Sequence, residues 1–217
     1  MAKTSRMEIV LVARELFRDR GYAGTSMKDI ADRVGLLKGS LYAHFASKED
    51  LVPEVLALAA EEFESDLPPS ADWAADFAAA LERLAGLLRQ GRRCLGLHLL
   101  YGLADDGGLA APVVAFFGRL RRFLAGILGR GMARAEAEAL AAEAIALLEG
   151  ATLWRLVDDD DAVLRRAVIS LRDRVEAHRQ QGVETERLVA RIASLEDEVL
   201  ILRAALAGRI EAESCFR

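Results

Sequence analysis

The sequence predicts an all-α protein, and two observations carry that prediction. The chain shows no sustained apolar–polar alternation of period two, whereas Ala, Leu, Glu and Arg, which favour helices, dominate it. Three capping patterns, in which a Ser is followed three residues later by Glu or Asp, mark helix starts at Ser5, Ser26 and Ser47.

Composition and length exclude several classes of protein. A chain of 217 residues, 53% of them hydrophobic, can bury a core in one large or two smaller domains. No apolar run reaches the roughly 18 residues that a membrane helix needs, and the amino terminus lacks the pattern of a secretory signal. The only cysteines, Cys94 and Cys215, lie far apart and form no disulfide framework, so we expect a cytoplasmic protein without a membrane partner.

Charge is distributed unevenly along the chain. The protein has a formal net charge of −5, but residues 1–48 contain nine basic and five acidic residues, and every lysine lies there. The remainder is therefore acidic. This contrast predicts an amino-terminal module that faces a polyanion, attached to an acidic body.

Local signals place the predicted helices. In the amino-terminal part they run from Ser5 to Gly21, from Ser26 to Gly35, from Lys38 to about His44 and from Ser47 to about Glu64. A linker at 66–72 follows. Further helices are predicted near 72–89, 93–104, 111–129, 134–157 and 161–180, and Gly182 precedes a last segment, 183–212. The predicted domains are 1–50, 51–182 and 183–217.

Three short helices with Gly35 between the second and third predict a helix-turn-helix. The residues are specific: Phe17-Arg-Asp-Arg-Gly21-Tyr22, Thr25-Ser26-Met27, Asp29-Ile30-Ala31, Val34-Gly35, Lys38-Gly39-Ser40-Leu41-Tyr42-Ala43-His44-Phe45 and Ser47-Lys48-Glu49-Asp50-Leu51. Over residues 5–60 this pattern resembles the TetR family of bacterial transcriptional regulators. The resemblance implies a DNA-binding head on a helical body that binds a ligand and dimerises.

Polar residues around the second and third helices are the candidate DNA contacts. They are Thr25, Ser26, Lys38, Gly39, Ser40, Tyr42, His44 and Lys48. Hydroxyls at a helix start and lysine side chains suit phosphates, while a glycine permits close approach to a groove. We also expect Gly35 to avoid a clash between the crossing helices. Alternatively, Tyr42 and His44 pack in the small core and Lys48 is merely solvated.

One position departs from the family pattern. A Ser or Thr usually precedes the Lys-Gly pair in the resembling family, but here Leu37 occupies it. The recognition helix thus lacks a side-chain cap and a phosphate-binding hydroxyl.

In the body, Cys94, His98 and Tyr101 share one helical face. With Phe117 and Trp154 they are the candidate ligand-binding residues. The alternative interpretations are a core stripe, a redox-sensitive Cys94 or metal binding, although two ligands are too few for a metal site. We expect no cofactor and no bound metal.

The carboxy-terminal segment has a heptad pattern. Its apolar positions are Leu188, Ile192, Leu195, Val199, Leu202 and Leu206. β-Branched residues at a with leucines at d favour a parallel two-stranded coiled coil. The alternatives are a helix that folds back on its own body or one that binds another protein.

Together these features predict a homodimeric, ligand-responsive transcriptional regulator, a repressor. We expect its recognition helix 38–44 to bind a palindromic operator in double-stranded DNA, and an unknown small-molecule effector to release it. An enzyme is disfavoured because the sequence contains no recognisable catalytic motif and only three histidines. The alternative function is a DNA-tethered scaffold whose coiled tail binds a protein partner and which takes no small molecule.

Overall fold

The computed structural model confirms the all-α class. It describes residues 5–65, 67, 69–90, 94–102, 110–158 and 160–214, and within these it contains helices and no strands. Side chains are described for the same residues except 90, 100–102, 110, 156 and 201–214. Within this described part, no helix is both long enough and apolar enough to cross a membrane.

The helices follow the predicted order. They are α1 (Arg6–Arg20), α2 (Met27–Val34), α3 (Lys38–His44), α4 (Leu51–Ser65), α5 (Trp73–Gln90), α6 (Leu95–Gly102), α7 (Ala110–Leu128), α8 (Arg134–Asp158) and α9 (Ala162–Ser214).

All three predicted Ser-to-acid patterns form local hydrogen bonds, but only Ser5 and Ser26 directly precede a helix, since α4 begins at Leu51 and not at Ser47. The Ser5 hydroxyl accepts a hydrogen bond from the Glu8 N–H at 3.1 Å. Ser26 and Asp29 cap each other, with 2.8 Å from the Ser26 N–H to the Asp29 carboxylate, and Ser47 and Asp50 do the same at 3.0 Å. These local bonds fix where α1 and α2 begin and fold the turn that leads into α4.

Gly35 ends α2 as predicted, but for a different reason. Its φ of 77° lies in the left-handed region, which suits glycine, and its N–H closes the helix on the Ala31 and Asp32 carbonyls. A Cβ built at Gly35 would meet nothing within 4 Å. The expected clash between helices is therefore absent, and backbone conformation alone favours glycine here.

The head and the body share one hydrophobic core. Buried side chains from α1 to α3, including Phe17, Ile30 and Leu41, form one cluster with Val55 of α4 and Leu99 of α6. The first of the two compact units of the chain, Met1–Arg172, contains both. The predicted division at residue 50 lies inside this unit, so movement in the body can reach the head through packed side chains.

The second compact unit is Asp173–Arg217, which contains the carboxy-terminal part of α9. The sequence predicted a helix ending near residue 180 and another beginning at 183, but α9 continues through Gly182. A glycine inside a helix costs only about 1 kcal/mol relative to alanine. Without a left-handed φ at this position, that cost does not end the helix.

Candidate nucleic-acid interface

Helix α3 has one buried anchor and an exposed polar face. Leu41 is fully buried in the head core, and Phe45 at the end of the helix is buried beside it. Lys38, Gly39, Ser40 and Tyr42 are exposed. The buried face thus anchors α3 to the head core, while the opposite face is accessible to a partner.

A cationic groove lies between the start of α2 and the exposed face of α3. Ser26, Lys38, Tyr42 and Lys48, all predicted from the sequence, line it together with Lys28. The Lys38 ammonium lies 5.7 Å from the centre of the Tyr42 ring. The structure therefore brings four of the predicted DNA-contacting residues to one surface, where positive charge and hydroxyl groups suit phosphate oxygens.

Thr25 has a structural position, which contradicts the phosphate-binding role predicted for its hydroxyl. Its side chain is only 1% exposed. The hydroxyl lies 2.8 Å from the Gly21 carbonyl and 3.2 Å from the Leu16 carbonyl, to which it can donate. The hydroxyl therefore binds the end of α1 from inside the protein and is not exposed to a phosphate.

Lys48 is also held from inside the protein. Its ammonium donates to the backbone carbonyls of Tyr22 at 2.7 Å and Thr25 at 2.9 Å, and lies 4.0 Å from the Tyr22 ring centre. Burial lowers the pKa of this ammonium. The alternative of a merely solvated charge is therefore excluded, because Lys48 connects the loop before α2 to the start of α4 while it also lines the groove.

Arg6 supports α3, and sequence reasoning missed it. Its guanidinium binds both carboxylate oxygens of Glu54, with Nε at 3.0 and 3.1 Å, and lies 3.9 Å from the Phe45 ring centre. It also donates to the backbone carbonyl of half-buried His44 at 2.5 Å. Arg6 thus links α1 and α4 to the end of α3. No local pattern indicates this contact, since Arg6 and Glu54 are 48 positions apart.

Leu37 precedes α3 without capping it. Its side chain makes no cap hydrogen bond and is 81% exposed. The first amides of the recognition helix consequently lack a side-chain acceptor.

We expect Leu37→Ser to tighten DNA binding several-fold. A serine cap stabilises a helix start by about 1 kcal/mol and adds a hydroxyl that can bind a phosphate. Fluorescence anisotropy on DNA from upstream of the gene measures this, with Leu37→Ala as the matched control that removes the side chain without adding a cap. Equal affinities for the serine and alanine variants would contradict the capping explanation.

The body contains a small, partly open cavity of about 50 Å³. Side chains from α1 and from α4 to α8 line it, including Arg18, Phe63, Cys94, Phe116 and Glu149. Among the predicted ligand-binding residues, Cys94 lines this cavity. The remaining lining residues are mostly leucines, so the cavity combines an apolar lining with a few polar groups, as ligand sites do.

The polar end of the cavity is a thiol–carboxylate pair. The Cys94 thiol donates to Glu149 Oε1 at 2.9 Å, while the buried Oε2 has no hydrogen-bond partner among the described residues. Burial raises the pKa of Glu149, and burial together with the nearby carboxylate raises that of Cys94. The thiol is therefore protonated at neutral pH, which makes it a poor nucleophile and disfavours a redox-sensing role.

The other predicted ligand-binding residues lie elsewhere. His98 packs against Gly21 at the end of α1. The contact is so close that a Cβ built at Gly21 would lie 2.2 Å from His98 Nε2. Phe117 packs against Gly96 and the Phe116 ring, and Phe116 lines the cavity in its place. Trp154 is half exposed on α8 and is not among the residues that line this cavity. The Tyr101 side chain lies outside the described residues.

An exposed α3 beside a cationic groove, carried on a three-helix head, is the arrangement of a helix-turn-helix DNA-binding domain. Residues 9–55 match the family model described as bacterial regulatory proteins, tetR family. The match covers the amino-terminal head alone, which is therefore similar to the helix-turn-helix domain of those regulators.

Individual relatives agree with this assignment. The chain is 53% identical over 51 residues to the HTH-type transcriptional repressor KstR2 of Mycolicibacterium smegmatis, covering 24% of this chain and 25% of that protein. It is 47% identical over 51 residues to the HTH-type transcriptional activator FasR of the same organism, covering 24% and 23%. The chain thus matches about a quarter of the length of these curated relatives.

The fold extends beyond the head. The crystal structure of a TetR transcriptional regulator from Legionella pneumophila superposes with a TM-score of 0.70 at 23% identity, covering 79% of this chain and 97% of that one. This similarity places the helical body in the same fold.

Proposed function

We propose that the chain is a homodimeric transcriptional repressor that binds a palindromic operator through α3 and is released by a small molecule bound in the body. The observation that carries this proposal is the exposed face from Lys38 to Tyr42 beside the cationic groove. In such a complex, base edges meet α3 in the major groove, while the lysines and the Ser26 region contact the backbone.

An exposed apolar surface on the body supports dimerisation. Trp154 and Val157 of α8 are 50% and 65% exposed, and Ile169 of α9 is 54% exposed. Large exposed apolar side chains on two successive helices favour a protein interface. Pairing two copies through this surface would present two recognition helices, which need a separation of about 34–36 Å to bind successive major grooves.

The cavity supports control by a ligand. Arg18 belongs to α1 of the head, yet it lines the cavity together with Glu149 of α8. An occupant of the cavity would thus contact the head directly. Because the two binding equilibria are linked, a ligand that weakens DNA binding must itself bind more weakly to the DNA complex. A ligand larger than the cavity requires its walls to move, which is how occupancy would change the head.

Repression is favoured over activation by the names of the relatives at about half identity, among them the repressor KstR2. The activator FasR has a similar head. The direction of regulation therefore depends on where the operator lies relative to the promoter, and footprinting of the bound DNA measures that position.

Fluorescence anisotropy on DNA from upstream of the gene tests the DNA-binding proposal. We expect specific binding that survives competitor DNA, and a loss of at least tenfold in affinity, about 1.4 kcal/mol, for Tyr42→Ala. Val114→Ala is the matched control, because Val114 is an exposed apolar residue on α7, outside the head. Weak binding by wild type and Tyr42→Ala alike, abolished by moderate salt, would contradict the proposal.

The same complex tests control by a ligand. A panel of small apolar compounds carrying one hydroxyl or amino group is added, and release of the DNA is measured alongside the melting temperature of the free protein. A compound that raises the melting temperature and releases DNA supports the effector role. A compound that stabilises the protein without releasing DNA would contradict coupling and favour the scaffold alternative.

A further inference from the structure

The carboxy-terminal part of α9 carries an apolar stripe that is exposed in the single chain. Every described side chain from Arg179 to Leu200 is exposed. The stripe, residues Leu188, Ile192, Leu195 and Val199, is 42–57% exposed. Leu202 and Leu206 continue the pattern in the sequence, but their side chains lie outside those described. An apolar stripe of this length on a solvated helix favours a partner.

The spacing of the stripe determines what kind of partner fits. Its residues recur in alternating steps of four and three, which is the heptad spacing of a coiled coil. The a positions Ile192 and Val199 are β-branched, and the d positions Leu188 and Leu195 are leucines. This combination favours two parallel strands over trimers or tetramers.

Charges beside the stripe match a second copy of the same chain. In a parallel pair in register, position g of one helix faces position e of the next heptad in the other. Arg191 at g then faces Glu196, and Glu198 at g faces Arg203. Both contacts pair opposite charges, and symmetry repeats each of them. Within one chain, Arg191 and Glu198 are already 3.9 Å apart, on the same side of the helix.

We propose that residues 185–206 form a parallel, in-register coiled coil with a second copy of the chain. About three heptads make a marginal coiled coil on their own. A second dimer contact in the body raises the effective concentration of the two tails, so the weak coil need not act alone. The coil is thus a second connection between two copies, separate from the DNA-binding head.

An antiparallel pair is the main alternative geometry. In a parallel pair, each d residue lies against the same residue of the other copy, so Leu195 meets Leu195. In an antiparallel pair, a positions face d positions, and Leu195 would meet Ile192 or Val199 instead. One substitution at residue 195 can therefore distinguish the two arrangements.

Disulfide trapping in the full-length protein tests the proposal. The parent is Cys215→Ser, which removes the cysteine near the tail and retains the half-buried Cys94. We expect Leu195→Cys in this parent to give more than half covalent dimer under mild oxidation, because two d positions lie within disulfide reach. Asp197→Cys is the matched control, since position f is on the outer side and should crosslink at least tenfold less.

Each result decides the question. Little crosslinking at residue 195 in a protein that sedimentation shows to be dimeric would overturn the tail contact while leaving the body dimer intact. Efficient crosslinking of Ile192→Cys/Leu195→Cys without that of Leu195→Cys would establish an antiparallel pair and overturn the proposed orientation. Equal crosslinking at 195 and 197 would indicate random collisions and would overturn the proposal. DNA anisotropy on the parent reports the proposed function independently.

Affinity provides a second measurement. We expect Leu195→Lys to raise the dimer dissociation constant at least tenfold, whereas Asp197→Lys leaves it within twofold. Both residues are exposed in the single chain, so neither substitution should unfold it. An unchanged dissociation constant for Leu195→Lys would overturn the proposal.

Discussion

Replacement of Gly21 by alanine is expected to lower the free energy of unfolding by roughly 2–5 kcal/mol. Two separate effects contribute. Gly21 has φ 79° and ψ 166°, a region that is almost restricted to glycine. The added methyl would also lie 2.2 Å from His98 Nε2, where the end of α1 packs against α6. Chemical denaturation of the wild type and the variant measures the difference.

A double-mutant cycle separates the two effects. His98→Ala should relieve the overlap in Gly21→Ala but not the backbone strain, so the pair should show a coupling energy of about 1 kcal/mol or more. Gly126→Ala is the matched control, because Gly126 lies in α7 and a Cβ there would meet nothing within 4 Å. We expect that control to stabilise the protein slightly. Zero coupling between positions 21 and 98 would rule out the contact.

For Gly39→Ala we expect opposite effects on stability and on DNA binding. A Cβ at Gly39 meets nothing within 4 Å in the free chain, and the residue lies inside α3. Alanine should therefore stabilise the head by about 0.5–1 kcal/mol. If α3 enters the major groove closely, the same methyl should weaken DNA binding by an order of magnitude or more.

Melting curves and anisotropy on the same preparations measure both effects of Gly39→Ala. Gly126→Ala is again the control, because it should raise stability without changing affinity. A Gly39→Ala protein that binds DNA as tightly as the wild type would show that the backbone at this position stays away from the groove. A less stable variant would instead contradict the open space around Gly39.

The sequence predicted best what short-range contacts decide. Helix starts at Ser5 and Ser26 depend on bonds that reach three residues, so the capping pattern was sufficient. Gly35 was also found, although its role is a left-handed φ and not a close approach. The predicted helix break at Gly182 is wrong, because the low helix propensity of one glycine does not outweigh the favourable residues on both sides of it.

Contacts between distant residues could not be predicted in this way. The Arg6–Glu54 ion pair joins positions 48 apart, and nothing in the local sequence of either indicates it. Thr25 and Ser26 look alike in sequence, but one hydroxyl is buried against carbonyls while the other caps a helix at the surface. Trp154 was assigned to a pocket because aromatic residues suit both pockets and interfaces, and only the packing of α8 distinguishes them.

The protonated, half-buried thiol of Cys94 can report local opening of the body, because it is a natural labelling site. Cys94 is half-buried, so the rate at which an alkylating reagent labels its thiol should rise whenever the packing around it opens further. A ligand in the cavity should lower the labelling rate, whereas strain between α6 and α1 should raise it. Labelling kinetics, followed by mass spectrometry, thus measure how often the packing around Cys94 opens and whether a ligand or a substitution changes that frequency.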